Sequence, residues 1–388
     1  MLSAMPGLIV VLPAIGLPVS LGLLELLLRH WAGRSLFDFG ARAPRHSQHA
    51  ADQGPWNLEE PELLKSDAEF SITHLREARD WLGTRGKHWR EHYSPSRDSQ
   101  AVLNRLSNQD FVGTEFSIRN RERTTTNQPA AYTNDILCLG GSTTFCIEVA
   151  DAKTWPSILQ GRVNEYDQDS RFRVRNLGIG GTPGLERIYT LQEATVIRNS
   201  DIAVFLFGDN DSGWKLYGDR QGFAYDNLPT ALRWFLRHAA VRSELASWLF
   251  GELAPRYLRR LAVEMAETTI AAAEDAAKFA QSRGANVLFV LQPNVFTLAS
   301  PDDRDRKIIA RTARDLPIML AAAYKRYREW IAESSIAVDA THIFDGESPS
   351  PYMNDWGHVN TRGNNLIGEF VFNQLKTRWL LAPTANLR

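Results

Sequence analysis

The stretch ILCLGGSTTFC, residues 136–146, decides how this chain is read. Ile136 to Leu139 form a short apolar run closed by glycine, the pattern of a buried strand. Gly140 and Gly141 break the run, and Ser142, Thr143 and Thr144 follow. Strand, glycine turn and hydroxyls serve two chemistries: a phosphate cradle at a helix start or the seat of a nucleophile. A second glycine-rich stretch, NLGIGGTPG at 176–184, keeps the question open, because GIGG is half a dinucleotide-binding fingerprint.

The pattern repeats outward from there. TWPSILQGRVNEY (154–166) suits a helix, FRVRNLG (172–178) a second strand, and GLERIYTLQEATVIRN (184–199) a helix. DIAVFLFG (201–208) predicts a third strand and RWFLRHAAVRSELASWLF (233–250) a helix. YLRRLAVEMAETTIAAAEDAAKFAQSRG (257–284), rich in Ala and Glu, predicts a long helix stopped at Gly284. ANVLFVLQP (285–293) is a fourth strand, IMLAAAYKRYREWIAES (318–334) a helix, SIAVDATHIF (335–344) a fifth strand, and GNNLIGEFVFNQLKTRWLL (363–381) the closing helix. Wholly apolar strands alternating with helices predict an α/β fold whose central parallel sheet is covered on both faces. In such sheets ligands collect at the carboxyl ends of the strands. GGST, GIGG and GDND each follow a strand, and DWGH lies in the C-terminal loop, so all four fall on one edge.

The phosphate reading fails, because a P-loop needs a lysine directly before its Ser or Thr. Gly141 stands there, and the next lysine is Lys153. The dinucleotide reading fails on spacing, since Gly178, Gly180 and Gly181 do not make G-x-G-x-x-G. A nucleophile survives. A serine at a strand-to-helix turn exposes its hydroxyl above the sheet, where backbone N–H groups face developing negative charge. Asp355 and His358, three apart, can supply an oriented imidazole base. Gly181 can offer a backbone N–H and Asn210 a side-chain N–H to an oxyanion. The bland alternatives are a helix N-cap for Ser142, a surface histidine at 358, and loop-stabilising carboxylates at Asp209 and Asp211. Those two aspartates have no His or Cys near them in sequence, so no metal is expected, and no cofactor.

Together GGST, NLGIGGT, GDND and DWGH resemble the four blocks of the SGNH/GDSL hydrolase family, in its GGST variant of bacterial type, over about residues 135–375. The resemblance implies a three-layer α/β/α flavodoxin-like fold and hydrolysis of lipid, short acyl or acetylated glycan esters. It implies Ser142 as nucleophile, His358 as base and Asp355 as its orienting partner. Ser142 and Gly181 N–H and the Asn210 side chain would form the oxyanion hole, and Asn176 a structural asparagine. The usual aspartate before the serine is glycine here, which touches neither nucleophile nor hole. The same constellation also resembles SGNH-type O-acyltransferases, and a non-catalytic envelope binding protein is a third reading.

The rest of the chain adds context. Its 44 basic and 45 acidic residues among 388 leave a net charge of −1, so nothing global points to nucleic acid. The two cysteines, Cys138 and Cys146, exclude a disulfide framework. Cys138 reads as a small buried hydrophobe and Cys146 as helix packing. LIVVLPAIGLPVSLGLLELLL, residues 8–28, is long and apolar enough to cross a bilayer. The expected organisation is therefore an N-terminal hydrophobic helix acting as membrane anchor (1–34), an irregular extension (35–130) and a catalytic domain (131–388). The expected placement is a bacterial inner membrane with the catalytic domain outside the cytoplasm. Arg29 and Arg34 nominally favour the opposite orientation.

Overall fold

The computed structural model describes residues 71, 73–78, 80–81, 110–166, 171–180, 197–212, 253–312, 315–353 and 356–380. The apolar segment 8–28 and the helices expected at 184–199 and 233–250 lie wholly or almost wholly outside them. Among the described residues no helix is long and apolar enough to cross a membrane. The chain divides into two compact units, Met1–Asp52 with Lys215–Leu261, and Gln53–Trp214 with Ala262–Arg388. Only residues 253–261 of the first are described, and the second carries the fold.

That fold is one eight-stranded sheet. Its strands are β1 (Phe111–Val112), β2 (Ser117–Arg119), β3 (Glu122–Arg123), β4 (Asn134–Gly140), β5 (Phe172–Asn176), β6 (Ile202–Phe207), β7 (Asn286–Leu291) and β8 (Ala337–Asp339). They lie in the order β1-β2-β3-β5-β4-β6-β7-β8. The five strands read from the sequence are the parallel ones, β5-β4-β6-β7-β8. Numbered among themselves they run 2-1-3-4-5, the order of flavodoxin-like sheets, with β4 at the switch point. The 35–130 extension, expected to be irregular, ends in three short antiparallel strands that continue this sheet, with Arg123 opposite Asn176.

Alternation along the strands divides the apolar side chains between two layers of helix. Ile136, Cys138, Val204, Leu206, Leu288 and Val290 share one core with Trp155 and Leu159 of α2 and Ile367 and Val371 of α6. Here α1 is the single turn Ser142–Phe145, α2 is Trp155–Tyr166, α3 is Leu253–Ser282, α4 is Asp303–Arg311, α5 is Asp315–Glu333 and α6 is Thr361–Leu375. On the other face Phe205 stacks on Phe289 at 4.7 Å, and Phe207 meets Tyr327 and Trp330 of α5 edge-on. The Trp330 indole N–H donates to Glu274 of α3 at 3.3 Å, which joins the helices of that layer. Cys138 and Cys146 are both free and buried, and burial pushes both thiols up from their ordinary value.

The extension also supplies a second apolar cluster, in which Ala78, Trp81, Phe116 and Ile118 pack with Phe145, Ile147 and Met353. Phe145 ends the serine turn and Met353 precedes the DWGH loop. Glu77 fastens this layer: its carboxylate accepts from the backbone N–H groups of Thr114, Glu115 and Phe116 at 2.7–2.9 Å and from the Thr114 hydroxyl. Partial burial works against the charge, but those donors outweigh it and hold Glu77 down at about 2.

Candidate active site

Ser142 opens α1 directly after β4, so the central strand delivers it to the carboxyl edge of the sheet. The N-cap of that turn is Gly141, which has no side chain to cap with. The cap reading of Ser142 is therefore not realised, and the turn does not use its hydroxyl. Asn176 holds the turn from block two: its Nδ2 donates to Thr144 O at 2.9 Å and its Oδ1 accepts from Gly178 N at 3.0 Å. Gly178 passes so close that a Cβ there would strike Phe145 N and sit 2.6 Å from Thr144 C. The structural role expected of Asn176 is thus visible as one bond to the serine turn and one within its own loop. Cys146 closes the turn in the left-handed region (φ 56°, ψ 56°) and its thiol donates to Asn364 Oδ1 of α6 at 3.1 Å.

Asn210 lies on the helical turn that follows β6, between two buried aspartates. Asp211 accepts from Gly208 N at 3.0 Å and so folds that turn. Asp209 accepts on Oδ1 from Tyr324 Oη at 2.5 Å and Asn294 Nδ2 at 2.9 Å, and on Oδ2 from Gln292 Nε2. Both aspartates stabilise the loop, as expected. The Gln292 oxygen in turn accepts from the Thr143 hydroxyl at 3.0 Å. One buried chain of hydrogen bonds thereby ties the residue after Ser142 to the residue before Asn210. Asp209 also lies under the C-terminal loop, since a Cβ built on Gly357 would come within 2.8 Å of its Oδ2. Burial, together with the Asp209 charge, pushes the Tyr324 phenol well above its ordinary value, so it stays a donor.

His358 follows Gly357 and is only 6 % exposed, as Ser142 is only 5 % exposed, so a substrate must enter a recess to reach either. The isolated bridge Tyr352↔Val359 closes the loop that carries it, with Met353 N donating to His358 O at 3.0 Å. His358 Nε2 lies 3.6 Å from Glu148 Oε1. The turn bearing Ser142 is linked to the loop bearing Asn210 through Thr143, Gln292 and Asp209, and the loop bearing His358 passes Asp209 at Gly357. Gly181 and Asp355 lie outside the described residues. Sequence reasoning missed Glu148 and Gln292. Neither belongs to a recognisable block, although Gln292 stands one residue past the end of β7, where ligand-facing residues collect.

No family model matches this sequence. A search of curated proteins also returns no match. Among solved structures, the chain resembles one assigned to the G-D-S-L family of lipolytic proteins from Desulfitobacterium hafniense. That likeness has 12 % identity and a TM-score of 0.34, over 62 % of this chain and 99 % of the other. It also resembles a catalytic mutant of an acetylxylan esterase from Geobacillus stearothermophilus, at 13 % identity and a TM-score of 0.37, over 63 % and 94 %. A GDSL-like lipase structure from Parabacteroides merdae matches at 14 % and 0.34, over 65 % and 99 %. Overlap of that extent assigns no activity to this chain, so function is argued from its own residues.

Proposed function

We propose that this chain is a serine ester hydrolase of SGNH type, with Ser142 as nucleophile and His358 as general base. One observation supports the reading: Ser142 stands at the switch-point edge of the sheet on a turn capped by Gly141, Thr143 and Gln292 link that turn to Asp209 beside Asn210, and the His358 loop passes Asp209 at Gly357. In the reaction His358 Nε2 takes the Ser142 proton as Oγ bonds to the ester carbonyl carbon. The oxyanion is held by the N–H groups of Ser142 and Gly181 and by the Asn210 side chain, with Asp355 orienting the imidazole. Return of the proton to the leaving alkoxide gives an acyl-serine, which water cleaves by the same steps in reverse. Substrates are lipid, short acyl or acetylated glycan esters, and residues 8–28 tether the enzyme to a membrane with its catalytic unit outside the cytoplasm.

The test is hydrolysis of a panel of short aryl esters, long-chain lipids and acetylated glycans, beside Ser142→Ala. Loss of turnover in the variant, with phosphonate labelling of the wild type at Ser142, supports the reading; retained turnover ends it. Acyl transfer to an added sugar hydroxyl in preference to water would make the chain an acyltransferase on the same serine. A reporter fused after Arg388 reads the membrane orientation.

A further inference from the structure

Glu148 places a second carboxylate on the imidazole of His358, 3.6 Å from Nε2. Both side chains are shielded from water, at 8 % exposure for His358 and 7 % for Glu148. The position is built. The carbonyl of Ile147 is gripped by His74 Nε2 at 2.8 Å and that of Val149 by Arg123 Nη2 at 2.9 Å. Glu148 is thus clamped on both sides by buried side chains of the N-terminal extension. At 3.6 Å the contact lies in ion-pair range but beyond hydrogen-bond length.

Among the described residues, charged and titratable groups lie on several elements near this pair. Arg123, from β3, is fully buried, pairs with Asp151 at 2.8 Å and also acts electrostatically on Glu148. The Cys146 thiol is kept protonated by burial. Burial and the nearby Arg123 charge hold His74 down at about 4, so it is neutral beside them near pH 7. Arg304, from α4, donates to the carbonyl of Met353 on the histidine loop at 3.1 Å. Asp355 shares that loop, outside the described residues.

We propose that Glu148 is a positioning residue that stabilises the protonated form of His358, so that the imidazolium made by proton transfer from Ser142 is born beside a counter-charge. The proposal rests on the reading of Ser142 and His358 as nucleophile and base. The acid limb of the activity profile then lies higher than Asp355 alone would set it.

The experiment compares wild type with Glu148→Gln in two readouts. In the first, kcat/KM on an ester substrate is followed from pH 5 to about 9, and the midpoint of the acid limb should fall by about one unit in the variant. In the second, the ring proton of His358, assigned by its absence in His358→Gln, is titrated by NMR and should show the same downward shift. Glu148→Asp keeps the charge and should return part of the shift in both. Midpoints that agree within about 0.2 unit across all three proteins overturn the proposal. If Glu148→Gln does not fold, Glu148→Asp against wild type decides by NMR, with a smaller downward shift supporting the pairing and none overturning it. The NMR readout needs no turnover, so failure of the esterase reading under Ser142→Ala is separable from failure of the pairing.

Discussion

The hydroxyl of Thr143 donates to the side-chain oxygen of Gln292 at 3.0 Å, across 149 positions of sequence. That bond fixes the orientation of the amide, because its other end must donate to Asp209, a carboxylate that only accepts. Asp209 takes two more donors, from Tyr324 and Asn294, and none of these side chains touches a reacting atom in the proposed mechanism. What the network does is hold two loops in register: the one that starts with Ser142 and the one that carries Asn210.

Gln292→Glu tests this directly. It sets a second carboxylate against Asp209 in a buried place, so one of the pair must hold a proton in the folded state. A carboxyl whose folded value is raised costs stability above that value and ceases to as it protonates. The variant is therefore expected to lose about 2–4 kcal/mol of stability at pH 8 and to recover it on acidification. Adding Asp209→Asn restores a donor facing an acceptor and should rescue most of the loss. Denaturation at pH 8 and pH 5 reads all three proteins, and a loss independent of pH would reject the donor–acceptor assignment.

How much of this was legible follows from where each signal is stored. β4, β6 and β7 each hold an uninterrupted apolar run, so the hydrophobic pattern alone finds them, and three of the four blocks lie just past strand ends while DWGH lies in the C-terminal loop. β1 to β3 are only two or three residues long and exist by pairing with distant partners, such as Arg123 with Asn176, which no local pattern records. α4 was missed because DRDRKIIAR is mostly charged, yet its capping box, Asp302 and Asp305 three apart, was in plain sight. The Gln292–Asp209 bond depends on register: Phe207 pairs with Leu291, so the residues that follow each strand meet. Glu148, beside His358, follows a left-handed turn at Cys146 that no local hydrophobic pattern records.

Asn210→Ala removes the side-chain donor that the proposed mechanism assigns to the developing oxyanion. The expected loss is about 100- to 1,000-fold in kcat with KM little changed, since the bond strengthens only in the transition state. Steady-state kinetics on the best ester of the panel reads it. A rise in KM at constant kcat would instead make Asn210 a ground-state binding residue.

Gly178→Ala adds a methyl where Phe145 N and the Thr144 carbonyl carbon already stand. Backbone cannot yield as a side-chain tip can, so the serine turn must move and strain the Asn176–Thr144 bond. The expectation is a stability loss of about 1–3 kcal/mol. The rate of phosphonate labelling at Ser142 should fall by about 100-fold, because a displacement on the order of 1 Å spoils attack geometry. Labelling at the wild-type rate would show that the turn absorbs the methyl without moving its serine.

His74 sets the last expectation, on acid stability. Burial first, and the Arg123 charge second, lower its folded value from 6.5 to about 4, while the unfolded chain keeps an ordinary imidazole. A depressed folded value means the unfolded state binds the proton first. The contribution is then complete above pH 6.5 and drains away as pH falls toward 4. The whole effect is about 3 kcal/mol, with about 2 kcal/mol gone by pH 5. His74→Gln keeps a donor within reach of the Ile147 carbonyl but cannot take up the proton. Chemical denaturation at pH 7.5 and pH 5 should show the wild type losing about 2 kcal/mol more than the variant between the two. Equal losses would show that the clamp on Ile147 is not what acid releases, and would move the acid sensitivity to other buried groups such as the Arg123–Asp151 pair.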